Sequence, residues 1–515
     1  MQKVNPNKKK KPWMPWAIGA ACILCFGAGL LIPVFSHTGP SAGANAETNK
    51  FMEAYDLLKD NWYYAKDSEN IDERLIEQAI SGMASLEEDR HTNYFNLEQA
   101  QAFSQSLAGS NVGIGVSFTQ GENGQMVVRQ VFINSTADRA GLQPGDEIIK
   151  IGDKETNSLS TDDLVAYIKS FENKPLEITF TRNGEEQSVT VTPGVFDSTV
   201  SAQMVDGAGL ITLSSFSENS GKDFTDAIGR VQKEGAKDLI LDLRNNTGGY
   251  LSAACQIASS FLPNNTVIFQ ENLKDGKVKQ VMTDNAYAQI EFDHIYILQN
   301  GNTASASEVL IGALKDHMPD KVTTIGTNTY GKGTEQVTVP FDDGTSLKYT
   351  MAEWTTPNGT SINKTGFAPD VEVTEDEVQS VTYVMPGEGE SLSIAPDSVH
   401  PNAAAVQVYL RALGYPAERS DSYFAPASSE ALKAFQSDNG LEPTGIVDNA
   451  TFEKLTEALG RKLAASSQES DAYLQSALRI IRGEEAAPAA EPAEAASEEH
   501  SETPSEESAE HSEGE

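Results

Sequence analysis

The stretch "HIYILQNGNTASASEVLIGALKDHMPDKVTTIG", His294–Gly326, passes from an apolar run through a turn of small polar residues into a helical pattern and out into a second apolar run. It reads as strand, turn, helix, strand. The same alternation extends upstream. "LITLSSF" is followed by a helix through Phe224, Ile228 and Val231, then by "DLILDLR" and a helix from Leu251 to Phe261. Strands alternating with helices over about Leu210 to Val373 predict an α/β layer. Past "GKGTEQVTVP" the chain returns to strands and turns, ending at "GFAPDVEV".

Further out, the chain changes character several times. Its 515 residues, 39% of them apolar, suffice for several packed domains. Lys8 to Lys11 precede an uncharged run, Pro12 to Phe35, of roughly bilayer-spanning length. The flanking lysines favour a cytoplasmic N-terminus and export of the rest, as a membrane anchor or, given "ANA" at Ala44–Ala46, a cleaved signal. Phe51, Tyr55, Leu58 and Trp62 recur at helical spacing, and Leu75, Ile76, Ala79 and Ile80 follow, predicting packing helices. Val112 to Pro193 alternates in short segments with glycine turns, predicting a small β-domain. A linker rich in Pro, Gly, Ser and Glu leads to a helical segment, Asn402–Leu459. Glu484–Glu515 holds twelve Glu and neither Lys nor Arg, which predicts a disordered tail. The formal charge of −37 leaves no basic footprint for nucleic acid. Cys22 and Cys25 fall in the apolar run, so Cys255 is alone in the body, and its apolar helical context makes it a buried packing residue. His and Cys spacing forms no metal-ligand cluster.

Within the first stretch, Ser305 with Glu308 three residues on has the form of a capping box ahead of Val309, Leu310 and Leu314. The same helix start suits a nucleophile, because free N–H groups and the positive dipole end favour an oxyanion. A serine nucleophile needs a base. His91, His294 and His317 lie near element edges, and Asp316-His317 has the form of a C-terminal cap. Lys332, bracketed by Gly331 and Gly333 in "TYGKGTEQ", is the better candidate, although a surface lysine on a glycine turn fits the same letters. Acting near neutrality requires its pKa to fall about 2–3 units, costing the charged form roughly 3–4 kcal/mol.

"NTASASEVLIGALKD" with "GTNTYGKGTEQ", preceded by "LILDLRNNTGGYLSAA" and followed by "WTTPNGTSINKTGFAPDVEV", resembles the carboxyl-terminal processing (tail-specific) serine peptidases. "ISGMASLEEDRHTNYF" resembles that family's leading helical segment, and Val112–Pro193 its PDZ domain. The resemblance implies a crotonase-like α/β core with Ser305 as nucleophile, Ser307 as fallback, Lys332 as general base and Gln336 orienting the lysine. Backbone N–H groups of Ala306 and of Gly248, in "NNTGG", would form the oxyanion hole, with Thr247 where relatives have Pro. Asp316 matches a structural aspartate. No metal or other cofactor is implied.

For the PDZ domain the resemblance implies a loop and strand edge that take a peptide C-terminus, with Gly113, Ile114, Gly115 and Val116 at the loop and Leu164 and Ile168 lining an apolar pocket. "AAAVQVYLRALGY" and "SSEALKAFQSDNGLEPTGIVDNATFEKL" resemble the three-helix peptidoglycan-binding module, with Leu410, Leu413, Ala431, Phe435 and Leu455 as core. The expected order is anchor or signal (1–46), helical segment (47–108), PDZ domain (109–195), Ser/Lys peptidase core (196–376), linker (377–400), peptidoglycan-binding domain (401–462), and helical extension with acidic tail (463–515). Expected partners are protein C-termini, peptidoglycan and the membrane, with a homo-oligomer compatible. The expected place is the cell membrane, with the catalytic part outside at the wall. A non-catalytic PDZ and wall scaffold is the alternative.

Overall fold

The structure is a computed structural model that describes residues 46–120, 126–287, 289–373, 378, 381, 392–465 and 471–485. The apolar run with Cys22 and Cys25, most of the linker and the acidic tail from residue 486 onward lie outside them. Among the described residues no helix is long and apolar enough to cross a membrane. The chain forms two units, divided between Ile80 and Ser81.

The first unit carries the helix Ala46–Asn61 and most of the helix Ile71–Ala84. They were expected to be packing helices, yet Phe51, Leu58 and Trp62 are exposed and the helix Ala46–Asn61 buries none of its residues. Two short helices enclose too little volume for a core of their own. Polar contacts join them: Tyr55 Oη donates to Asp72 Oδ1 at 2.7 Å and Lys59 pairs with the same carboxylate.

The second unit is organised on a six-stranded sheet whose spatial order follows the chain: β1 (Val200–Val205), β2 (Ala208–Leu213), β3 (Leu239–Asp242), β4 (Ile295–Gln299), β5 (Val322–Gly326) and β6 (Val371–Glu372). Only β1 and β2 are antiparallel. The crossovers carry helices α1 (Ser220–Lys233), α2 (Leu251–Phe261) and α3 (Ala306–His317). Parallel strands in sequential order with right-handed crossovers put all such helices on one face. Ile211, Leu241 and Ile297 accordingly pack with Phe224, Ile257 and Leu310.

Their neighbours Leu210, Ile240, Tyr296 and Leu298 point to the other face, which needs its own cover. A fourth helix, α4 (Ala472–Ile481), supplies it with Tyr473, Leu474, Ala477, Leu478 and Ile480. The segment expected as a helical extension ahead of the tail thus packs on the core sheet. The three-helix module, with helices Ala403–Ala412, Pro426–Asp438 and Asn449–Ala465, is therefore an insertion between β6 and α4. Leu410, Ala431, Phe435 and Leu455 form its core as expected, with Leu413 packed against them.

A second sheet joins the strands Asn93–Phe95, Val267–Leu273, Val278–Met282, Thr334–Pro340 and Ser346–Thr355. The β-domain spans strands from Val116 to Val191, and the strand Val116–Gln120 lies at its sheet edge. The helix Asn449–Ala465 packs beside that edge strand. A ribbon pairing Ser110–Gly113 with Gly194–Asp197 connects this domain to the core.

Candidate active site

Ser305 stands where β4 turns into α3, with φ +58° and ψ −116°. Positive φ is uncommon for a residue with a Cβ and costs on the order of 1–3 kcal/mol, so the surroundings must enforce it. Two sets of contacts do so. Upstream, Thr303 Oγ1 donates to Leu243 O at 2.8 Å, and Ala304 N donates to Asn246 O at 3.0 Å. Ser307 Oγ donates to that same Asn246 carbonyl at 2.9 Å and is fully buried. Ser307 thus ties the turn to the neighbouring loop.

Downstream, the fully buried Glu308 carboxylate gathers four donors. Oε2 accepts from the backbone N–H of Ser305 at 2.8 Å and of Lys332 at 2.9 Å. Oε1 accepts from Gly331 N and Thr329 Oγ1, each at 2.6 Å. A buried carboxylate is tolerable only with its acceptor capacity filled in this way. The sequence offered Glu308 as a helix cap alone. Its pairing with residues 329–332 depends on a contact across two elements that no local pattern encodes.

Lys332 is partly buried. Burial pushes its ammonium down to about 8, the positive charge of Lys348 adds to the effect, and Glu308 opposes it. Trp354, fully buried, fixes the lysine's backbone by donating from Nε1 to Lys332 O at 3.0 Å and from N to Gly333 O at 2.9 Å. Gly331 and Gly333 are required by crowding. A Cβ at Gly331 would lie 2.7 Å from Gly366 N, and one at Gly333 2.6 Å from the Asn363 Cβ.

Gln336 departs from its expected role. Its amide donates to Thr334 Oγ1 at 2.9 Å and to Thr350 Oγ1 at 3.2 Å, and no bond joins it to Lys332 among the described residues. A bulge between Glu335 and Gln336 shifts the register there. A bulge re-aims the side chains beside it.

Gly248, with φ +103°, lies against the turn at Ser305: a Cβ there would sit 2.8 Å from Ser305 Cβ and 3.0 Å from Ala306 N. Ala306 N–H belongs to the first turn of α3, where the helix itself supplies no acceptor. The Gly248 N–H, by contrast, donates to Asn246 Oδ1 at 2.9 Å, so it is already engaged. Asp316 Oδ2 accepts from Asn358 N at 2.8 Å, a structural contact. Cys255 packs against the core and burial pushes its thiol up to about 12, which makes it inert. His317 meets Val267 O and His294 meets Thr323 Oγ1. Among the described residues no cluster of ligating side chains could hold a metal ion.

In the β-domain, Ile114, Leu164 and Ile168 are buried in the domain's own core, with Val116 packed against it. Gly113 is paired with Gly194 in the connecting ribbon. Gly115, at φ +87°, has no room for a Cβ, which would lie 2.0 Å from Ser135 Cβ. Ile114, Leu164 and Ile168, expected at the peptide-binding loop and pocket, thus pack inside the domain.

Comparison with known proteins accords with this arrangement. Residues 207–373 match the family model "Peptidase family S41", residues 112–192 "PDZ domain", and residues 399–455 "Putative peptidoglycan binding domain". The chain is 34% identical over 439 residues to the "Probable CtpA-like serine protease" of Staphylococcus aureus, covering 85% of each. It is 30% identical over 464 residues to the protein of the same name in Staphylococcus haemolyticus, covering 89% of this chain and 91% of the other. Among solved structures it is similar to a photosystem II D1 C-terminal processing protease, at 24% identity and TM-score 0.37, covering 65% of this chain and 95% of that one. With this similarity along most of its length, the chain belongs to peptidase family S41, among the CtpA-like serine peptidases that carry a PDZ domain.

Proposed function

We propose that Ser305 is the nucleophile and Lys332 its general base, in an endopeptidase that works outside the cytoplasm and selects exposed C-terminal segments of exported proteins. The supporting observation is the pairing of a strained Ser305 with a desolvated Lys332 through one buried carboxylate, Glu308. Neutral Lys332 takes the hydroxyl proton as Ser305 Oγ adds to the scissile carbonyl, and the same amine returns a proton to the leaving nitrogen. Water then attacks the acyl-enzyme by the reverse sequence. Ala306 N–H holds the oxyanion, joined by Gly248 N–H once its bond to Asn246 is shared or released. Gln336 acts by ordering Thr334 and Thr350 on the strands that carry the base loop.

The edge strand Val116–Gln120 takes the substrate's C-terminus by strand addition. The basic, then apolar N-terminal run tethers the chain to the membrane, and the inserted three-helix module holds peptidoglycan. Ser305→Ala and Lys332→Ala should each abolish cleavage of an unfolded test protein with little change in Tm. Turnover surviving in Ser305→Ala would refute the assignment and move it to Ser307, whereas an intact chain that cleaves nothing would favour the scaffold alternative.

A further inference from the structure

The segment that follows the inserted module returns to the sheet at one particular residue. Asp471, which caps α4, accepts two bonds from the guanidinium of Arg244, Nη1 to Oδ1 and Nη2 to Oδ2, each 2.8 Å. The other edge of the guanidinium is held by Asp242, Nε to Oδ1 at 2.9 Å and Nη2 to Oδ2 at 2.6 Å. The Tyr473 ring lies 5.1 Å from Arg244 Cζ. The Arg244 side chain is 17% exposed, so these contacts replace most of its hydration.

Arg244 is also the residue at which β3 gives way to the loop that approaches the nucleophile. Asn245 N donates to Asn300 Oδ1 at 3.0 Å. Asn246 Nδ2 donates to Leu213 O at 2.7 Å, its carbonyl receives Ala304 N and Ser307 Oγ, and Gly248 then reaches Ser305. Asp242 alone ties Arg244 only to its own strand. Asp471 ties it to a separate element whose apolar face is sunk into the sheet.

The geometry points to Asp471 as a positioning residue for the oxyanion loop: by gripping Arg244 it sets the path of Asn245–Gly248 and so the placement of that backbone against Ser305. This rests on the proposed roles of Ser305 and the loop. The link runs through the chain as well as through space, since Asp471 lies beyond the inserted module.

The test uses Asp471→Asn in the full chain, which keeps the side chain's size and its acceptor for Leu474 N, a bond of 3.1 Å, but removes the charge. The expected result is a fall in kcat of about tenfold or more, short of the ~100–1,000-fold that losing an oxyanion donor costs. KM should stay nearly constant, and a peptide aldehyde, which binds as an oxyanion adduct, should weaken by the same factor as kcat/KM. Leu478→Ala, in the apolar face of α4, should lower Tm and keep kcat. Wild-type kcat in Asp471→Asn overturns the proposal, and so does an equal kcat loss in Leu478→Ala. A Ser305→Ala control separates the two levels: activity that persists there refutes the site assignment itself, whereas Ser305-dependent activity indifferent to Asp471 refutes only the positioning role.

Discussion

Ser305 and Lys332 donate their backbone N–H groups to the same oxygen, Oε2 of Glu308, at 2.8 and 2.9 Å. The proposed nucleophile and base are therefore registered through their backbones, independently of where the two side-chain tips point at a given moment. A rigid frame of this kind supplies the orientation on which serine acyl transfer depends.

Glu308→Gln replaces one acceptor oxygen by an NH2 group facing at least one backbone N–H that cannot accept, and two on the Oε2 side. Hydrogen bonds to a charged group are worth about 1.5–3 kcal/mol each, so both Tm and kcat should drop, kcat by about 100-fold or more. Stopped assays with parallel thermal melts would check this; full activity in Glu308→Gln would remove the frame from the account.

As the proposed base, Lys332 acts in its neutral form, and burial brings its pKa to about 8. Below that value kcat/KM should climb about tenfold per pH unit, levelling above it. The positive charge of Lys348 contributes to the depression. Lys348→Met should therefore move this limb to higher pH, and a limb that stays in place or moves down would contradict the electrostatic origin.

Ser307 and Ser305 should separate cleanly. Ser307→Ala loses one buried bond to Asn246 O, a destabilisation of about 1 kcal/mol. Activity should persist at a substantial fraction of wild type. Loss of all turnover in Ser307→Ala, with Tm retained, would reverse the roles given to the two serines.

Glu335 offers a stability test. Burial raises its carboxyl from 4.5 to about 7, the neighbouring Glu271 adds to this, and Lys279 opposes it. A raised carboxyl pKa means the folded state disfavours the ionised form. The penalty is absent below the unfolded value, grows between pH 4.5 and 7, and is full above. Glu335→Gln should stabilise the protein by up to about 3 kcal/mol above neutrality and by nothing near pH 4. Equal denaturation midpoints for the two proteins at pH 8 would contradict it.

The α/β core was legible, and Ser305 and Lys332 stood out as candidates, because each rests on local pattern: apolar runs, helix periodicity, a small-residue turn, a lysine between glycines. What escaped notice was non-local. Nothing about "DAYLQSALRII" says which surface its apolar face covers, since an amphipathic helix announces a face and not a partner. The clue lay in β3 and β4: strands apolar at consecutive positions need cover on both sides, and the crossover helices supply one. The partners of Gln336, Thr334 and Thr350, could not be read from motif position, because a one-residue bulge re-aims the side chains beside it. For Leu164 and Ile168, burial within the β-domain's core was invisible from spacing.

The insertion of the three-helix module between β6 and α4 has a consequence for proteolysis. A protease that cuts the chain between Val373 and Leu392 would sever the backbone yet leave the module joined to α4, whose Tyr473, Leu474 and Leu478 remain clasped by the sheet. The nicked enzyme would run as two bands in detergent and as one species under native conditions. A cut after Leu459 and before Asp471, on the far side of the module, would leave α4 held by the same contacts but without the module, and loss of that fragment would strip the sheet of its second layer.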